Sequence, residues 1–373
     1  DRLRSRGLGD VYKRQGFKGV APERLNIYEL LVRDFTGTEG KALGDGTIRA
    51  AQARIPYLKA MGINAVELLP INEFNGNISW GYNPNFYFAP DKAYGTPADY
   101  KAFIDACHAN GIAVILDMVF NQTDWQHPWY RLYPEGSNPF YNATAPHAYS
   151  VLNDWNQGYP LVEQQEKDML KFWLTEYKVD GFRFDLVKGL GDNDSYRNNG
   201  DAATNAFNQS RIDRMKRLHD AMREVNPEAY FINENLAGAQ EENKMAEDGE
   251  AIFGWKNMCT TMMNNPLACD GYKTIAYEAA RSMKFEAPDY VICPVGGGIV
   301  VSKVYKGYEE MYELGMIDHL PKMIAVQAAG CAPLVKAYDE GKKATEKWEN
   351  GDTIAFAIFD PVTFEGCLLY TSP

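Results

Sequence analysis

The 373-residue chain contains no CxxC pair, and its six cysteines show no zinc-like spacing. At this size a disulfide scaffold is not expected. Only Cys107 lies before residue 251 and five cysteines follow it, which marks a change in composition along the chain. Positive charge is also short: 38 Lys and Arg stand against 50 Asp and Glu, a net charge of −12. That balance argues against a nucleic-acid partner. No apolar run approaches the roughly 20 residues of a membrane span. No GxGxxG occurs, so a dinucleotide fingerprint is not invoked. No signal peptide is visible, and the sequence leaves the native compartment unassigned. What is present is 45% hydrophobic and 24% charged, the composition of a soluble globular protein with one large or two ordinary domains.

The two ends share an unusual feature. DVYKRQ (Asp10 to Gln15) and CLLYTS (Cys367 to Ser372) can be encoded by DNA strings that are reverse complements apart from a one-base offset. Both resemble translated adapter from transposon-based sequencing libraries, of the kind met in metagenomic assemblies. The expectation is that residues 1–15 and 367–373 are adapter-derived tails.

Between them, strand and helix signals alternate. NIYELLVRDFT (26–36), AVELLPI (65–71), IAVILDMVF (112–120), VDGFRFDLV (179–187) and AYFINEN (229–235) read as five strands. Thr47 caps a helix carrying Ile48, Ala51, Ile55 and Leu58 that Gly62 stops. Thr96 and Pro97 open another, with Tyr100, Phe103, Ile104 and Cys107 on its apolar face and Gly111 at its end. Further helices are expected over about 161–177 and 209–225. Strands apolar on both faces, alternating with helices, predict an α/β fold with a helix-covered parallel sheet. The loops WGYNPNFYFAP (80–90) and DWQHPWYRLYP (124–134) are long and aromatic, which suits sugar rings at the C-terminal ends of barrel strands and equally suits ordinary loop packing.

Three acids sit in apolar strand words: Asp117, Asp185 and Glu234. Burying such groups is costly and calls for a reason. Arg183 and Asp185 are two apart on a strand and share a face, with Phe182 and Phe184 on the other. The arginine is expected to lower the Asp185 pKa and keep it ionised. Glu234, near the end of the next strand, can stand opposite as an acid/base, the arrangement a retaining glycosidase requires. An isolated Arg-x-Asp is also a common structural ion pair.

WGYNP, DMVFNQ, GFRFDLVKG and INEN, in this order, resemble the α-amylase family of glycoside hydrolases, over about residues 20–248. The resemblance implies a (β/α)8 TIM barrel, here partial with about five strands, and hydrolysis of α-1,4-glucosidic bonds in α-glucan oligosaccharides or polysaccharides with retention. It implies Asp185 as nucleophile, Glu234 as acid/base and Arg183 as the residue orienting Asp185. Tyr82 would stack on the sugar in the cleaved subsite. Asp117, Asn121, Gln122 and Lys188 would complete the substrate-binding set. No metal ligand set is assigned, although some family members bind calcium. Two departures stand out. Gln122 occupies the usual place of a histidine, which points to a subfamily. No His-Asp pair follows Glu234, so the family's third carboxylate has no counterpart. His219-Asp220 precedes Glu234 in a helix pattern and reads as a surface pair.

Near residue 250 the text changes. YVICPV (290–295) reads as a buried strand, followed by Gly296, Gly297 and Gly298 and a helix from near Ile299. Glycines between strand and helix suit a phosphate and equally suit a tight turn. VGGG, IAVQAAGCAPLVKAY and DTIAFAI, in order over about 251–364, resemble threonine synthase, in the fold family of tryptophan synthase β. The resemblance implies that the glycine loop holds the phosphate of pyridoxal phosphate. The family's Schiff-base lysine belongs to a part without counterpart here, and neither Lys273 nor Lys303 sits in the lysine motif.

The division expected is therefore a tail at 1–15, a truncated α-amylase-like barrel at 16–250, a threonine synthase-like fragment at 251–366 and a tail at 367–373. The function expected is that of an α-amylase-family glycosidase, truncated and inactive as this chimeric chain. The alternatives are a pyridoxal-phosphate-dependent threonine synthase and a non-catalytic sugar-binding remnant. The partner implied is an α-glucan, with no nucleic acid and no membrane span.

Overall fold

Parallel strands cannot be joined by hairpins, so each strand word must be followed by a crossover long enough to return the chain. The computed structural model describes residues 17–38, 44–134, 136–238, 240–245, 269–342, 344–349 and 351. The chain divides into two compact units, residues 1–259 and 260–373. The tails, the junction near 250 and the word DTIAFAI lie outside the described residues.

The first unit runs β1 (Ile27–Leu30), α1 (Val32–Phe35), α2 (Ile48–Ala53), α3 (Ile55–Ala60), β2 (Ala65–Leu68), β3 (Asn72–Phe74), β4 (Pro84–Pro90), α4 (Pro97–Ala109), β5 (Ala113–Met118), β6 (Gln122–Thr123), α5 (Pro128–Arg131), β7 (Asn153–Asp154), α6 (Pro160–Phe172), β8 (Gly181–Phe184), α7 (Asp201–Thr204), α8 (Gln209–Arg223) and β9 (Tyr230–Asn233). Strands β1, β2, β5, β8 and β9 form one sheet in that order, every neighbouring pair parallel. This is the partial barrel sheet expected; no closed barrel forms among the described residues.

The pleat sorts the side chains. Leu30, Val66, Leu68, Val114, Leu116, Met118, Phe182 and Phe184 pack into the large core shared with the helices. On the opposite face Ala65, Ala113, Ile115, Tyr230 and Ile232 form a smaller cluster, with Phe17, Leu25 and Ile27 against it. Glu29, Glu67, Asp117 and Arg183 share that second face by register. Gly181 is required beside β9, because a Cβ there would lie 2.4 Å from the Tyr230 carbonyl oxygen.

Local chemistry accounts for the helix ends. The Thr47 hydroxyl accepts from Ala50 N at 3.2 Å. Thr96 and Asp99 form a complete capping box on α4. The single helix expected over 48–61 is two, α2 and α3, meeting at Arg54, because Pro56 cannot continue the hydrogen-bond ladder. The helix expected to end near 177 does so through a π turn, Trp173–Tyr177, closed by left-handed Lys178.

The second unit contains α9 (Lys273–Ser282), β10 (Tyr290–Pro294), α10 (Ile299–Glu313), β11 (Lys322–Val326) and α11 (Pro333–Asp339). β10 and β11 pair in parallel. Cys293, Val295, Val301, Val304, Tyr308 and Met311 form its core. The expectation of a buried strand at 290–295 is corrected here. Tyr290, Ile292, Ile324 and Val326 are exposed, since among the described residues helices cover one face of this pair only.

Candidate active site

Strand register builds the site. Arg183 on β8 stands directly opposite Asp117 on β5. Asp185 and Glu234 follow the last residues of β8 and β9, and the ladder continues through them: Asp185 N donates to Met118 O and Glu234 N to Phe184 O, each at 3.0 Å. Arg183 Nη1 donates to Asp117 Oδ1 and Oδ2 at 2.8 and 2.9 Å and to Asp185 Oδ1 at 3.0 Å. Its Nη2 lies 2.9 Å from Glu234 Oε1. One guanidinium thus bridges three carboxylates. The Tyr82 hydroxyl donates to Asp117 Oδ2 at 2.8 Å, and Leu186 N donates to Glu234 Oε2 at 3.0 Å.

A strained leucine lies directly after Asp185 and another two residues after Glu234. Leu186 has φ +49° and Leu236 φ +48°, left-handed conformations that a leucine rarely adopts. In the first case the turn aims the Leu186 amide at Glu234.

The remaining sequence-derived residues lie behind this cluster. Gln122 is buried; its Nε2 donates to Tyr82 O at 3.0 Å and its Oε1 accepts from Asn121 Nδ2 at 2.7 Å. It therefore braces the backbone of Tyr82. The Lys188 Nζ sits 3.7 Å from the Tyr149 ring centroid and 3.4 Å from Asn205 Oδ1, away from the hydrogen bonds that join the acids. His219 is not at the surface: its ring is buried edge-on against Phe231 at 5.4 Å, while Asp220 is exposed. The apolar side of α8 carries it inward.

Two acids escaped the sequence reading. Glu67 is a fourth acid in an apolar strand word and is buried. Glu29 is its register partner on β1 and is exposed.

Residues 29–142 and 133–265 match the family model for the alpha amylase catalytic domain. The chain belongs to this family. Residues 202–365 match the family of pyridoxal-phosphate dependent enzymes, overlapping the alpha-amylase match over 202–265. An alpha-amylase region is thus joined to a pyridoxal-phosphate-enzyme region. Among curated proteins, a malto-oligosyltrehalose trehalohydrolase of Rhizobium sp. (strain M-11) is 37% identical over 185 residues, 48% of this chain and 28% of its own length. The chloroplastic isoamylase SU1 of Zea mays is 34% identical over 206 residues, 46% of this chain and 25% of its own. A 1,4-alpha-glucan branching enzyme of Rhizobium etli is 33% identical over 244 residues, 62% and 32%. The chain spans only about a quarter to a third of these relatives. Among solved structures, Eubacterium rectale Amy13B aligns at TM-score 0.53 and 19% identity, covering 82% of this chain and 66% of that one. The Geobacillus thermoleovorans alpha-amylase aligns at TM-score 0.53 and 17%, covering 82% and 70%. At those identities the likeness is one of fold.

Electrostatics in the alpha-amylase region depart from expectation. Burial raises the Asp185 pKa well above the carboxylate range, and the charges of Asp117 and Glu234 add to it; Arg183 opposes them without prevailing. Arg183 does lower the Asp185 pKa as expected, but the expectation that this keeps Asp185 ionised is corrected, because burial and the charges of Asp117 and Glu234 outweigh it. Burial pushes Asp117 up to about 7 against the pull of Arg183. Burial works against the Arg183 charge, yet Asp117, Glu234 and Asp185 together raise its pKa.

Neither implied ligand group finds a complete set of partners. Asn121 Oδ1 is buried without a hydrogen-bond partner, the right kind of oxygen for calcium. Gly189 crowds it, however: a Cβ there would lie 1.9 Å away. No group of three or more His, Cys, Asp or Glu among the described residues could hold a metal ion. In the second unit Gly296–Gly298 lead into α10, with Gly298 at φ +100° as N-cap. That turn suits a phosphate, and Lys273 and Lys303 are both ion-paired. Lys273 Nζ is held by Asp270 at 3.1 Å and Glu310 at 2.8 Å, and Lys303 Nζ by Asp270 at 3.3 Å. No helix among the described residues is long and apolar enough to cross a membrane.

Proposed function

We propose that the first unit carries the acid constellation of an α-glucan-acting, retaining glycosidase, and that this chain does not complete it. The observation that carries the reading is the bridge from Arg183 to Asp117, Asp185 and Glu234 at the C-terminal ends of adjacent parallel strands. Barrel enzymes build their chemistry at that end. Asp185 is the nucleophile and Glu234 the acid/base. Arg183 orients Asp185, Asp117 anchors Arg183 and Tyr82, and Tyr82 offers its ring to the sugar. Asn121 and Gln122 hold the Tyr82 loop, and Lys188 lines the outer side through Tyr149.

The same geometry argues against turnover. A nucleophile must be ionised and an acid must donate a proton. Here burial and the charges of Asp117 and Glu234 disfavour the Asp185 charge, and both Glu234 oxygens are taken up by Arg183 Nη2 and Leu186 N. No His-Asp pair follows Glu234 to supply a third carboxylate. The chain accordingly binds malto-oligosaccharide without cleaving it. Calorimetric titration with maltoheptaose tests the binding, with Tyr82→Ala expected to weaken it at least tenfold. Release of reducing sugar from soluble starch, abolished by Asp185→Asn, would overturn the claim of inactivity; no binding at millimolar sugar would overturn the glucan reading.

For residues 251–366 the reading is a threonine synthase-like fragment, supported by the pyridoxal-phosphate-enzyme match. Neither Lys273 nor Lys303 sits in the family's lysine motif, so no stable internal aldimine is expected. The absorbance spectrum of the chain after incubation with pyridoxal phosphate and dialysis tests this, and a persistent aldimine band would sink it.

A further inference from the structure

The acid cluster has a fourth member whose position gives it a separate task. Glu67 projects from β2 onto the same sheet face as Asp117 and Arg183. Its register neighbours are Glu29 on β1 and Ile115 on β5. The charged groups that act on it are Glu29, Arg183 and Glu234, and it acts in turn on Asp117. Only one of these is a cation, and that cation is committed: Arg183 Nη1 serves Asp117 and Asp185, and Nη2 serves Glu234. No hydrogen bond or ion pair reaches the Glu67 carboxyl among the described residues. A buried carboxylate with neither donor nor counter-charge is the costliest way to place this side chain, and its protonated form removes that cost.

We propose that Glu67 is a positioning residue that holds a proton beside the cluster and thereby sets how many of Asp117, Asp185 and Glu234 are charged around Arg183. With Glu67 neutral, Arg183 balances one of three acids. When Glu67 loses its proton, the added negative charge drives a proton onto a neighbour, so the cluster changes its charge in shared steps. The inference rests on the count of carboxyls around one guanidinium; it deepens the glycosidase reading only in saying which group fixes the protonation of the acid pair.

The test is a carbon-13 titration of the side-chain carboxyls in the full chain, from pH about 4 to about 9, a range that brackets ordinary and raised carboxyl values. Glu67 is assigned by the signal lost in Glu67→Gln. Its midpoint is expected near 7, where burial places it. Glu67→Gln is expected to move the Asp117 midpoint downward by about one pH unit, a tenfold change in proton affinity. Glu67→Asp is expected to restore it. A wild-type Glu67 signal titrating with ordinary exposed carboxylates overturns the proposal, and that measurement needs no variant to fold. Unmoved Asp117 and Asp185 midpoints in a folded Glu67→Gln protein overturn it as well. A chain that fails to bind maltoheptaose yet gives these shifts overturns the glucan reading and leaves this one standing.

Discussion

Arg183 and Asp117 meet at a single register step of adjacent parallel strands, with Arg183 Nη1 2.8 Å from Asp117 Oδ1. Both side chains are largely withdrawn from water, and Asp185 and Glu234 depend on the same guanidinium. Removing one partner of a buried pair leaves the other charge uncompensated, which typically costs about 3–5 kcal/mol. Arg183→Met is therefore expected to lose about that much stability at pH 8. The loss should shrink in mild acid, where the stranded carboxyls take up protons. Urea unfolding followed by tryptophan fluorescence reports mainly this unit, where six of the seven tryptophans lie. An equal loss at both pH values would mean that Arg183 acts by packing alone.

The buried acids make a pH prediction of definite sign. Burial raises Glu67 from 4.5 to about 7, Asp117 from 3.8 to about 7, Glu166 from 4.5 to about 7 and Asp91 from 3.8 to about 6. For each, the folded state binds the proton more tightly than the unfolded chain, so stability falls as pH rises through the window from the ordinary to the raised value. His127 works the other way. Burial lowers it from 6.5 to about 4, so its contribution is full above 6.5 and is lost as pH falls toward 4. Burial lowers His219 as well, in the same direction as His127, and the four acids outweigh the two imidazoles. The thermal midpoint of the first unit is expected to be higher near pH 5.5 than at pH 8, and a flat or rising profile over that range would contradict the charge assignment.

Much of this unit was legible in the sequence because the signals were local. Each of the five strand words contains an observed strand, Thr47 and Thr96 cap as their hydroxyls imply, and Phe182 and Phe184 face away from Arg183 as period-two alternation requires. The convergence of Tyr82, Asp117, Arg183, Asp185 and Glu234 was readable from motif order. What escaped was non-local. Glu67 carried the same signal as the other three acids, a charge in an apolar strand, but only register reveals that it faces them. The burial of Asp185 and its crowding by Asp117 and Glu234, which outweigh the expected effect of Arg183, cannot be counted along a chain. The exposure of Tyr290 and Ile292 depends on which layers cover a strand, and that is not written in the strand itself.

A second buried ion pair offers a comparison away from the site. Arg214 on α8 and Glu166 on α6 are both nearly inaccessible and lie 2.7 Å apart. Glu166 Oε1 has no hydrogen-bond partner of its own, so Arg214 is what holds this carboxyl in the helix interface. Arg214→Leu is expected to cost about 3–5 kcal/mol, and the double variant Arg214→Leu/Glu166→Leu to recover most of it, since well-packed apolar side chains replace such pairs at little loss. A double-mutant cycle by urea unfolding checks this. Additive losses would show that the two residues do not interact.

Asp185 is expected to behave in the opposite way, because its charge is disfavoured where it stands. Its single hydrogen bond from Arg183 is 3.0 Å long, whereas Asp117 receives two from the same nitrogen and a third from Tyr82. Asp185→Asn keeps the shape and removes the repulsion from Asp117 and Glu234. The variant should be more stable than the parent at pH 8, by about 0.5–2 kcal/mol, the usual gain from relieving a functional strain. The gain should be smaller near pH 5 and vanish only below the ordinary value of 3.8, where Asp185 is protonated in both the folded and the unfolded state. Asp117→Asn, which forfeits an anchor of Arg183 and Tyr82, should instead be destabilising at both pH values. Thermal midpoints of the three proteins at the two pH values decide the matter. A destabilised Asp185→Asn at pH 8 would mean that Arg183 secures the Asp185 charge after all.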